Sequence, residues 1–329
     1  MSYKRFIYSA ATMVAIAALV MTTVSCENYR NKPAISGKST VMCDESFKNV
    51  LDDEIAVFEY TYKQTEIEPV YCGESEALDS LLNDKCNMII SYRELTEQQK
   101  RHLKSQDRAY RCRQIAVDGI AVITNTANDI DQLTMDNLRD IFSGKVTTWG
   151  QVFPTKLKND SVKVVFDRNG SGAMHFIRDK FLGGKDFPIK FFAMRSSEDV
   201  FKAVMANKNA MGLVSVSWIT SDLKGVEQTI DERVKSLEAN NDPSNVTFTD
   251  KVKVMPICPD NDITGVLPYQ AYLYDGSYPL YRPIYAIDAS LGGVAHDFYV
   301  FITGTIGQKI ILQTGIVPAA EPVRVVSIQ

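Results

Sequence analysis

The chain has 329 residues, of which 45% are hydrophobic and 23% are charged, with a formal net charge of −4. A chain of this length and composition can bury a large core and has room for two lobes. The nearly balanced charge excludes a generally basic surface for nucleic acid and gives no sign of disorder. An anion could still bind, but local donors such as helix N-termini, hydroxyls and arginines would have to hold it.

The first 26 residues have the pattern of an export signal. Lys4 and Arg5 precede the apolar run 10–20, which is too short to span a bilayer comfortably. Small and hydroxylated residues then lead to Cys26, with Val24 at a place usually taken by a smaller residue. This order resembles the bacterial lipobox. It implies a signal peptide over 1–25, lipid on the Cys26 thiol, a tether over 26–37, and an exported protein held at a membrane, in the periplasm or on the cell surface. The alternative is an ordinary signal peptide with an incidental cysteine.

The remaining cysteines give no metal pattern. There are five of them, an odd number that cannot all pair within the chain: Cys43, Cys72, Cys86, Cys112 and Cys258. No CxxC spacing occurs and only three histidines are present, so we expect neither a metal nor another cofactor. Cys43 and Cys72 lie at the ends of neighbouring predicted strands, where a disulfide and two buried free thiols are both open.

Strands and helices alternate through the first third of the chain. The apolar run 39–43 predicts a buried strand, and apolar positions at helical spacing predict a helix over 46–60. Two further strand–helix pairs are predicted, with strands over 67–72 and 87–92 and helices over 74–84 and 96–105. This alternation favours a parallel sheet with right-handed crossovers.

A second α/β unit follows the long apolar stretch 115–124, which could carry the chain from one lobe to the other. Helices are predicted over 133–142, 172–182 and 197–206, and strands over 162–167 and 210–216. The polar segment 236–250 predicts a surface loop. The end of the chain is predicted as an extended segment over 278–287, a helical region over 294–314 broken at 304–307, and a strand over 323–328.

Hydroxyl-bearing segments occur where a predicted strand gives way to a helix, at 44–47, 73–75 and 167–173. Ligands of open α/β sheets bind outside the carboxyl ends of the strands, where unpaired N–H groups begin the helices. Each segment alone could be a plain helix cap. Three of them, with Arg168 beside one, predict an oxyanion site, because a dehydrated phosphate needs many converging donors.

Three segments resemble the phosphate-binding proteins of bacterial phosphate ABC transporters. They are 118–149, with Ile-Phe-Ser-Gly-Lys at 141–145, the Gly-Ser-Gly at 170–172, and the tail 292–319, with Gly-Gln-Lys-Ile-Ile at 307–311. The resemblance covers essentially the whole mature chain. It implies an α/β, two-lobed binding-protein fold of the type II kind, with each lobe a mostly parallel sheet flanked by helices. Lobe I would take 38–120 and 283–329, lobe II would take 121–282, and hinge strands would lie near 115–124 and 281–287.

The resemblance also implies which residues hold the ligand. Carried over by position, the donors and their charged partner are Ser46, Phe47, Ser75, Arg168, Ser171, Gly172 and Ala173. Ala173 replaces a threonine of the family, and Asp167 stands where the family has its arginine. A family aspartate that accepts a proton from the anion is replaced by the run Ser91-Tyr92-Arg93, so Arg93 adds positive charge instead. Either Asp167 supplies the missing acceptor, or the site discriminates less by proton count.

The function that the resemblance implies is capture of inorganic phosphate by lobe closure, with delivery to the membrane permease of an ABC transporter. We expect a monomer with no nucleic-acid partner. One alternative is a lipoprotein of the same fold that binds another oxyanion, or a non-anionic partner, without transport. A weaker alternative is a hydrolase with Cys43 or Cys72 as nucleophile and His175 as base. No nucleophile elbow, metal spacing or carboxylate pair in the sequence supports catalysis, so we predict no enzyme.

Overall fold

The computed structural model describes residues 35–220, 229–238, 248–260 and 262–320. Its strands are β1 Ser36–Asp44, β2 Gln64–Cys72, β3 Met88–Ser91, β4 Arg111–Thr124, β5 Leu133–Thr134, β6 Lys163–Phe166, β7 Phe191–Ala193, β8 Ala210–Ser215, β9 Lys253–Val254, β10 Ile257–Cys258, β11 Tyr281–Asp288 and β12 Val317–Pro318. Its helices are α1 Lys48–Thr61, α2 Glu74–Leu82, α3 Glu97–Ser105, α4 Met135–Phe142, α5 Gly172–Leu182, α6 Ser197–Ala206, α7 Val216–Ile219, α8 Ile230–Glu238, α9 Gln270–Tyr274, α10 Val294–Ile302 and α11 Thr305–Gln313. Short 3₁₀ turns cover Glu45–Phe47 and Trp149–Gln151.

Ten of these strands form one sheet in the order β2-β1-β3-β11-β4-β8-β6-β7, with β12 and β9 also paired to β4. The strand β4 belongs to two parts of this sheet. Its first part pairs with β11 and β12, and its last part pairs with β8 and β9. We call the strands on the β2 side the first half of the sheet, and those on the β7 side the second half. The outer pairs β1–β2, β1–β3, β6–β7 and β6–β8 are parallel, and β11 is antiparallel to both of its neighbours.

The length of β4 follows from its sequence. Ile115 to Thr124 is almost wholly apolar and buried, as expected of a strand covered on both faces. Gly119 lies where β4 meets α7 and α9, and a Cβ there would come within 2.7 Å of a Leu273 methyl carbon.

Two aromatic clusters fill the core. Phe58 contacts Phe298 and Phe301 in the first, and Phe166 contacts Phe187 and Phe191 in the second.

Most predicted elements are found, with shifted ends. The alternating α/β order is confirmed. The helical region after Gly293 is broken, as predicted, but at residues 303–304 rather than 304–307, because the second helix begins at Thr305. The helix predicted from residue 133 begins at Met135, because Leu133 and Thr134 pair with β10 and the Thr134 hydroxyl accepts a hydrogen bond from the Asn137 N–H. The short strands β5, β7, β9, β10 and β12 were not predicted.

Several predicted features lie partly or wholly outside the described residues. These are the signal peptide, the tether up to residue 34, most of the loop 236–250, and the strand 323–328; the loop's first residues end α8. The five cysteines after Cys26 are free thiols. The Cys72 thiol donates to the Cys43 carbonyl at 3.8 Å rather than bonding to the Cys43 sulfur. Among the described helices, none is long and apolar enough to cross a membrane.

Gly307→Ala should destabilise the fold. A Cβ at Gly307, in the first turn of α11, would lie 2.6 Å from both the Ile302 Cα and the Phe301 carbonyl oxygen, which are backbone atoms that cannot rotate away. We expect the free energy of unfolding to fall by about 1–3 kcal/mol, the usual cost of overpacking. Urea denaturation measures this change. The neighbouring Ile306→Ala, at a half-exposed position, should cost less than about 1 kcal/mol, and equal losses in the two variants would contradict the argument.

Candidate functional site

A buried ion pair lies where the two halves of the sheet meet. Arg282 of β11 pairs across the strands with Asp118 of β4, and neither side chain is exposed. The Arg282 Nε and Nη2 donate to one Asp118 oxygen at 3.1 and 2.9 Å. The other Asp118 oxygen accepts from the Ser215 hydroxyl at 2.8 Å, at the end of β8 in the second half. Burial raises the pKa of Asp118, and the nearby Arg282 opposes that rise.

The Asp44 carboxylate occupies the place predicted for an oxyanion. Asp44 ends β1, and one of its oxygens accepts from the backbone N–H of Ser46 at 3.1 Å and from the Ser46 hydroxyl. Its other oxygen accepts from the Gly172 N–H at 2.7 Å, at the N-terminus of α5 in the second half. Arg282 Nη2 donates to the Ser46 hydroxyl oxygen at 2.7 Å. Ser171 caps the same helix by accepting from the Met174 N–H. The Asp44 carboxylate therefore bridges the two halves through donors suited to an anion.

Two more carboxylates of the first half reach across to the second half. Glu45 accepts from the Ser197 N–H and hydroxyl at 3.1 and 3.0 Å, at the start of α6. Glu74 follows β2 and lies 2.9 Å from the His175 Nδ1 on α5. Glu74 also takes contacts from its own half, which come from the Ser91 hydroxyl, the Tyr92 N–H and the Arg93 guanidinium.

These contacts between the two halves surround a cleft at the carboxyl ends of β1 and β3. The loops at the edges of this cleft approach each other closely. A Cβ built on Gly73, at the end of β2, would lie 2.9 Å from the Gly170 carbonyl oxygen. The Tyr92 hydroxyl donates to an Asp179 oxygen at 2.8 Å, and the Trp218 indole N–H donates to the Ser46 carbonyl at 3.0 Å. The structure is therefore a closed form, with the carboxyl ends of the first-half strands packed on the second half.

Two buried polar atoms in the cleft have no hydrogen-bond partner among the described residues, the Arg282 Nη1 and one oxygen of Asp167. The first lies near the start of α5, because a Cβ at Gly172 would be 3.0 Å from it. Asp167 follows β6, and burial together with the Asp44 charge raises its pKa to about 7. One atom is a donor and the other an acceptor. A ligand with an anionic oxygen and a hydroxyl group would satisfy both.

The predicted site residues fall into three groups. Ser46, Ser171, Gly172 and Asp167 come together around Asp44 and Arg282. Arg168 and Arg93 lie at the edge of this group. Arg93 is paired with Glu74. Burial raises the pKa of Glu45, and Arg168 is close enough to oppose that rise. The side chains of Phe47 and Ala173 are buried in the core. Ser75 is exposed and lies outside the group around Asp44 and Arg282, although its neighbour Glu74 is buried. Only the backbone of Phe47 or Ala173 could serve a ligand.

The prediction missed Arg282, Asp118 and Glu74. A signal for the first two was present in the sequence, because each is a lone charge within an extended apolar segment, 115–124 and 278–287. Charged residues are almost never fully buried unless they are paired, so two such charges of opposite sign indicate a buried ion pair. Glu74 gives no comparable signal, since an acidic residue at the start of a helix is common on the surface.

Asp167→Asn should weaken the dependence of stability on pH. Because the pKa of Asp167 is raised from 3.8 to about 7, its contribution to folding stability is full below about pH 4 and is lost as the pH rises towards 7. Asparagine does not titrate. We therefore expect the variant to lose about 2 kcal/mol less unfolding free energy than the wild type between about pH 5 and 7.5, measured by urea denaturation.

A matched control for this experiment is Asp129→Asn. A hydrogen bond from Thr155 lowers the pKa of the exposed Asp129, so its titration lies below this pH range and its replacement should leave the pH dependence unchanged. If the stability of the wild type and of Asp167→Asn depends on pH in the same way, the pKa of Asp167 is not raised in the folded protein.

Comparison with known proteins identifies the family of this chain. A family model described as a PBP superfamily domain matches residues 30–304. The phosphate-binding protein PstS of Staphylococcus epidermidis is 24% identical over 252 residues, 75% of this chain and 68% of that protein. The PstS of Pseudomonas aeruginosa is 21% identical over 324 residues, 94% of this chain and 92% of that protein.

The fold likeness extends to solved structures. The crystal structure of an ABC-type phosphate transport receptor from Vibrio cholerae has a TM-score of 0.60 at 18% identity, covering 86% of this chain and 100% of that chain. The predicted two-lobed α/β fold is thereby confirmed. Because the family model spans most of its length, the chain belongs to the PBP superfamily, a family of solute-binding proteins rather than of enzymes.

Proposed function

We propose that this protein is an exported, lipid-anchored receptor that captures inorganic phosphate for an ABC-type importer. Relatives named phosphate-binding protein support the ligand, and the sequence around Cys26 supports the anchor. The observation that carries the proposal is the unpaired donor of Arg282 and the unpaired acceptor of Asp167 in one cleft. Hydrogen phosphate matches both atoms, because it has anionic oxygens and at least one O–H group. Sulfate has no proton to give to Asp167.

The ligand takes the place of the Asp44 carboxylate. The Gly172 N–H, the Ser46 hydroxyl and the Arg282 Nη1 then donate to phosphate oxygens, and Asp167 accepts the phosphate proton. Asp44 and the ligand are both negative and cannot share the same donors at low cost. Phosphate has the advantage, because its oxygens can accept from the unpaired Arg282 atom as well as from the donors that Asp44 now uses.

Closure of two lobes holds the ligand. We assign 38–120 and 283–329 to lobe I and 121–282 to lobe II, since β4 and β11 are the strands where the two halves of the sheet join. The hinge lies in the same strands, near 115–124 and 281–287. Donors from both lobes favour the closed form when phosphate is present. We propose that the closed protein, a monomer, docks on the permease of the importer.

A receptor for a ligand without negative charge is the second candidate. Its support is the charge of the cleft, where five carboxyl groups face three guanidiniums: Asp44, Glu45, Glu74, Asp118 and Asp167 against Arg93, Arg168 and Arg282. This excess of acid makes binding less favourable for a dianion than for a neutral or protonated ligand.

A hydrolase has less support. Burial raises the pKa of the Cys43 thiol and raises that of Cys72 to about 12, so both thiols stay protonated and are poor nucleophiles.

Titration calorimetry with phosphate, arsenate and sulfate tests the ligand and the site. We expect wild-type protein to bind phosphate and arsenate far more tightly than sulfate. Ser46→Ala and Asp167→Ala should each weaken phosphate binding about tenfold or more, because each removes a hydrogen bond to the charged ligand worth about 1.5–3 kcal/mol. The exposed Ser75→Ala is the control and should leave affinity unchanged. Unchanged affinity in both site variants would show that the assigned site is wrong.

Asp44→Asn should strengthen phosphate binding. Replacement of the carboxylate by an amide removes a negative charge that competes for the Gly172 N–H, so we expect a rise in affinity of about tenfold, measured by the same calorimetry. Glu76→Gln, at an exposed position on α2, removes one negative charge outside the cleft and controls for net charge. Weaker binding in Asp44→Asn would mean that Asp44 holds the ligand itself rather than competing with it.

A further inference from the structure

A basic cavity lies at the opposite end of the first half of the sheet from the phosphate cleft. It has a volume of about 570 Å³ and is lined by side chains of β4 and α10 that include Arg111, Arg113, His296, Tyr299 and Val300. The register pairs Arg111 with Asp288, and Asp288 with Met88 at the start of β3. The phosphate cleft lies instead at the carboxyl ends of β1 and β3. The two sites are therefore separated by the length of the strands.

The cavity carries positive charge that the structure does not fully compensate. One buried carboxylate, Asp288, lies 3.2 Å from the Arg111 Nη1 and 2.9 Å from the His296 Nδ1. Arg113 follows Arg111 by two residues on the same strand, so both side chains lie on the same face of the sheet. Arg113 is exposed and has no ion pair with the described residues. The guanidiniums of Arg111 and Arg113 thus outnumber the one acid between them.

Exposed apolar side chains border this cavity. Leu291 is 94% exposed, the highest value among the large apolar residues described, and it follows Ser290, whose carbonyl accepts from Arg111 at 3.0 Å. Gly292 and Gly293 next to it have φ of +153° and +78°, a backbone that presents Leu291 outward in a tight loop. Val300, which lines the cavity, is 53% exposed. A single exposed leucine is common on proteins, but this one follows a residue bonded to Arg111 at the rim of a basic cavity, and apolar side chains next to basic ones are typical of membrane-surface segments.

The N-terminal segment of the chain leaves the fold at this same end. A Cβ on Gly37, near the start of β1, would lie 3.4 Å from the Val294 side chain at the start of α10. Cys26 precedes the first described residue, Ile35, by nine positions, which span at most about 30 Å when extended. A lipid on Cys26 would therefore hold this end of the protein close to the membrane. This step rests on the anchor in the proposed function.

We propose that this end of the protein binds the membrane surface, with the phosphate of an anionic phospholipid headgroup in the Arg111–Arg113 cavity and Leu291 and Val300 at the apolar boundary. Electrostatic attraction of each basic residue to an anionic membrane and burial of the apolar side chains act together. In this resting position the phosphate cleft, at the other end of the strands, faces the solution, and the protein leaves the lipid surface when it docks on the permease.

Sedimentation with vesicles tests this surface without the lipid anchor. The mature chain from residue 26, with Cys26→Ser, is mixed with vesicles of phosphatidylcholine alone or with one third phosphatidylglycerol, at low and high salt. We expect binding to the anionic vesicles only, weakened by salt. Arg113→Glu should lower the partition coefficient at least about fivefold, the equivalent of about 1 kcal/mol per basic residue. Leu291→Ser should lower it as well.

The controls separate this surface from general charge and from the phosphate site. Lys208→Glu and Ile263→Ser make the same changes at exposed positions elsewhere and should leave vesicle binding unchanged. Arg113→Glu and Leu291→Ser should leave phosphate affinity unchanged, so loss of lipid binding and loss of phosphate binding are distinguishable. Absence of binding to anionic vesicles, equal binding to neutral ones, or full competition by millimolar inorganic phosphate would overturn the proposal.

Discussion

The ion pair between Arg282 and Asp118 is the interaction on which the cleft depends. Two opposite charges are held without exposure between adjacent antiparallel strands, at the point where the sheet passes from its first to its second half. Removal of one partner of such a pair typically costs about 3–5 kcal/mol, because the other charge stays buried and unpaired. Ser215 completes the pair from the second half and Ser46 from the first. The pair thereby fixes the arginine whose remaining N–H group points towards the start of α5.

The carboxylates around this arginine join the two halves of the sheet across the cleft. Asp44, Glu45 and Glu74 each satisfy donors of the second half, at the starts of α5 and α6 and at His175. Helix N-termini that would otherwise be open to an anion are thus capped by the protein itself. A ligand gains only the difference between its own contacts and those of the carboxylate that it displaces.

The sequence predicted the fold well because most of it is encoded locally. The alternation of apolar runs and helical spacings located the elements of the first unit to within a few residues, and the Gly-Ser-Gly at 170–172 marked the start of α5. The cleft was harder, because its centre is assembled from residues far apart in the chain. Arg282 and Asp118 are 164 positions apart, and Asp44 and Gly172 are 128 apart. The register between strands brings these residues together, and no single segment of the sequence determines that register.

The close approach of Gly73 to Gly170 has a geometric consequence for the receptor. A Cβ at position 73 would lie only 2.9 Å from the opposing Gly170 carbonyl oxygen, so the two loops are in backbone contact. Any residue other than glycine would push the loops apart. The absence of one methyl group at the end of β2 therefore sets the innermost limit of closure. How far the two halves of the sheet can close on each other is therefore limited at the rim of the cleft, by a residue with no side chain.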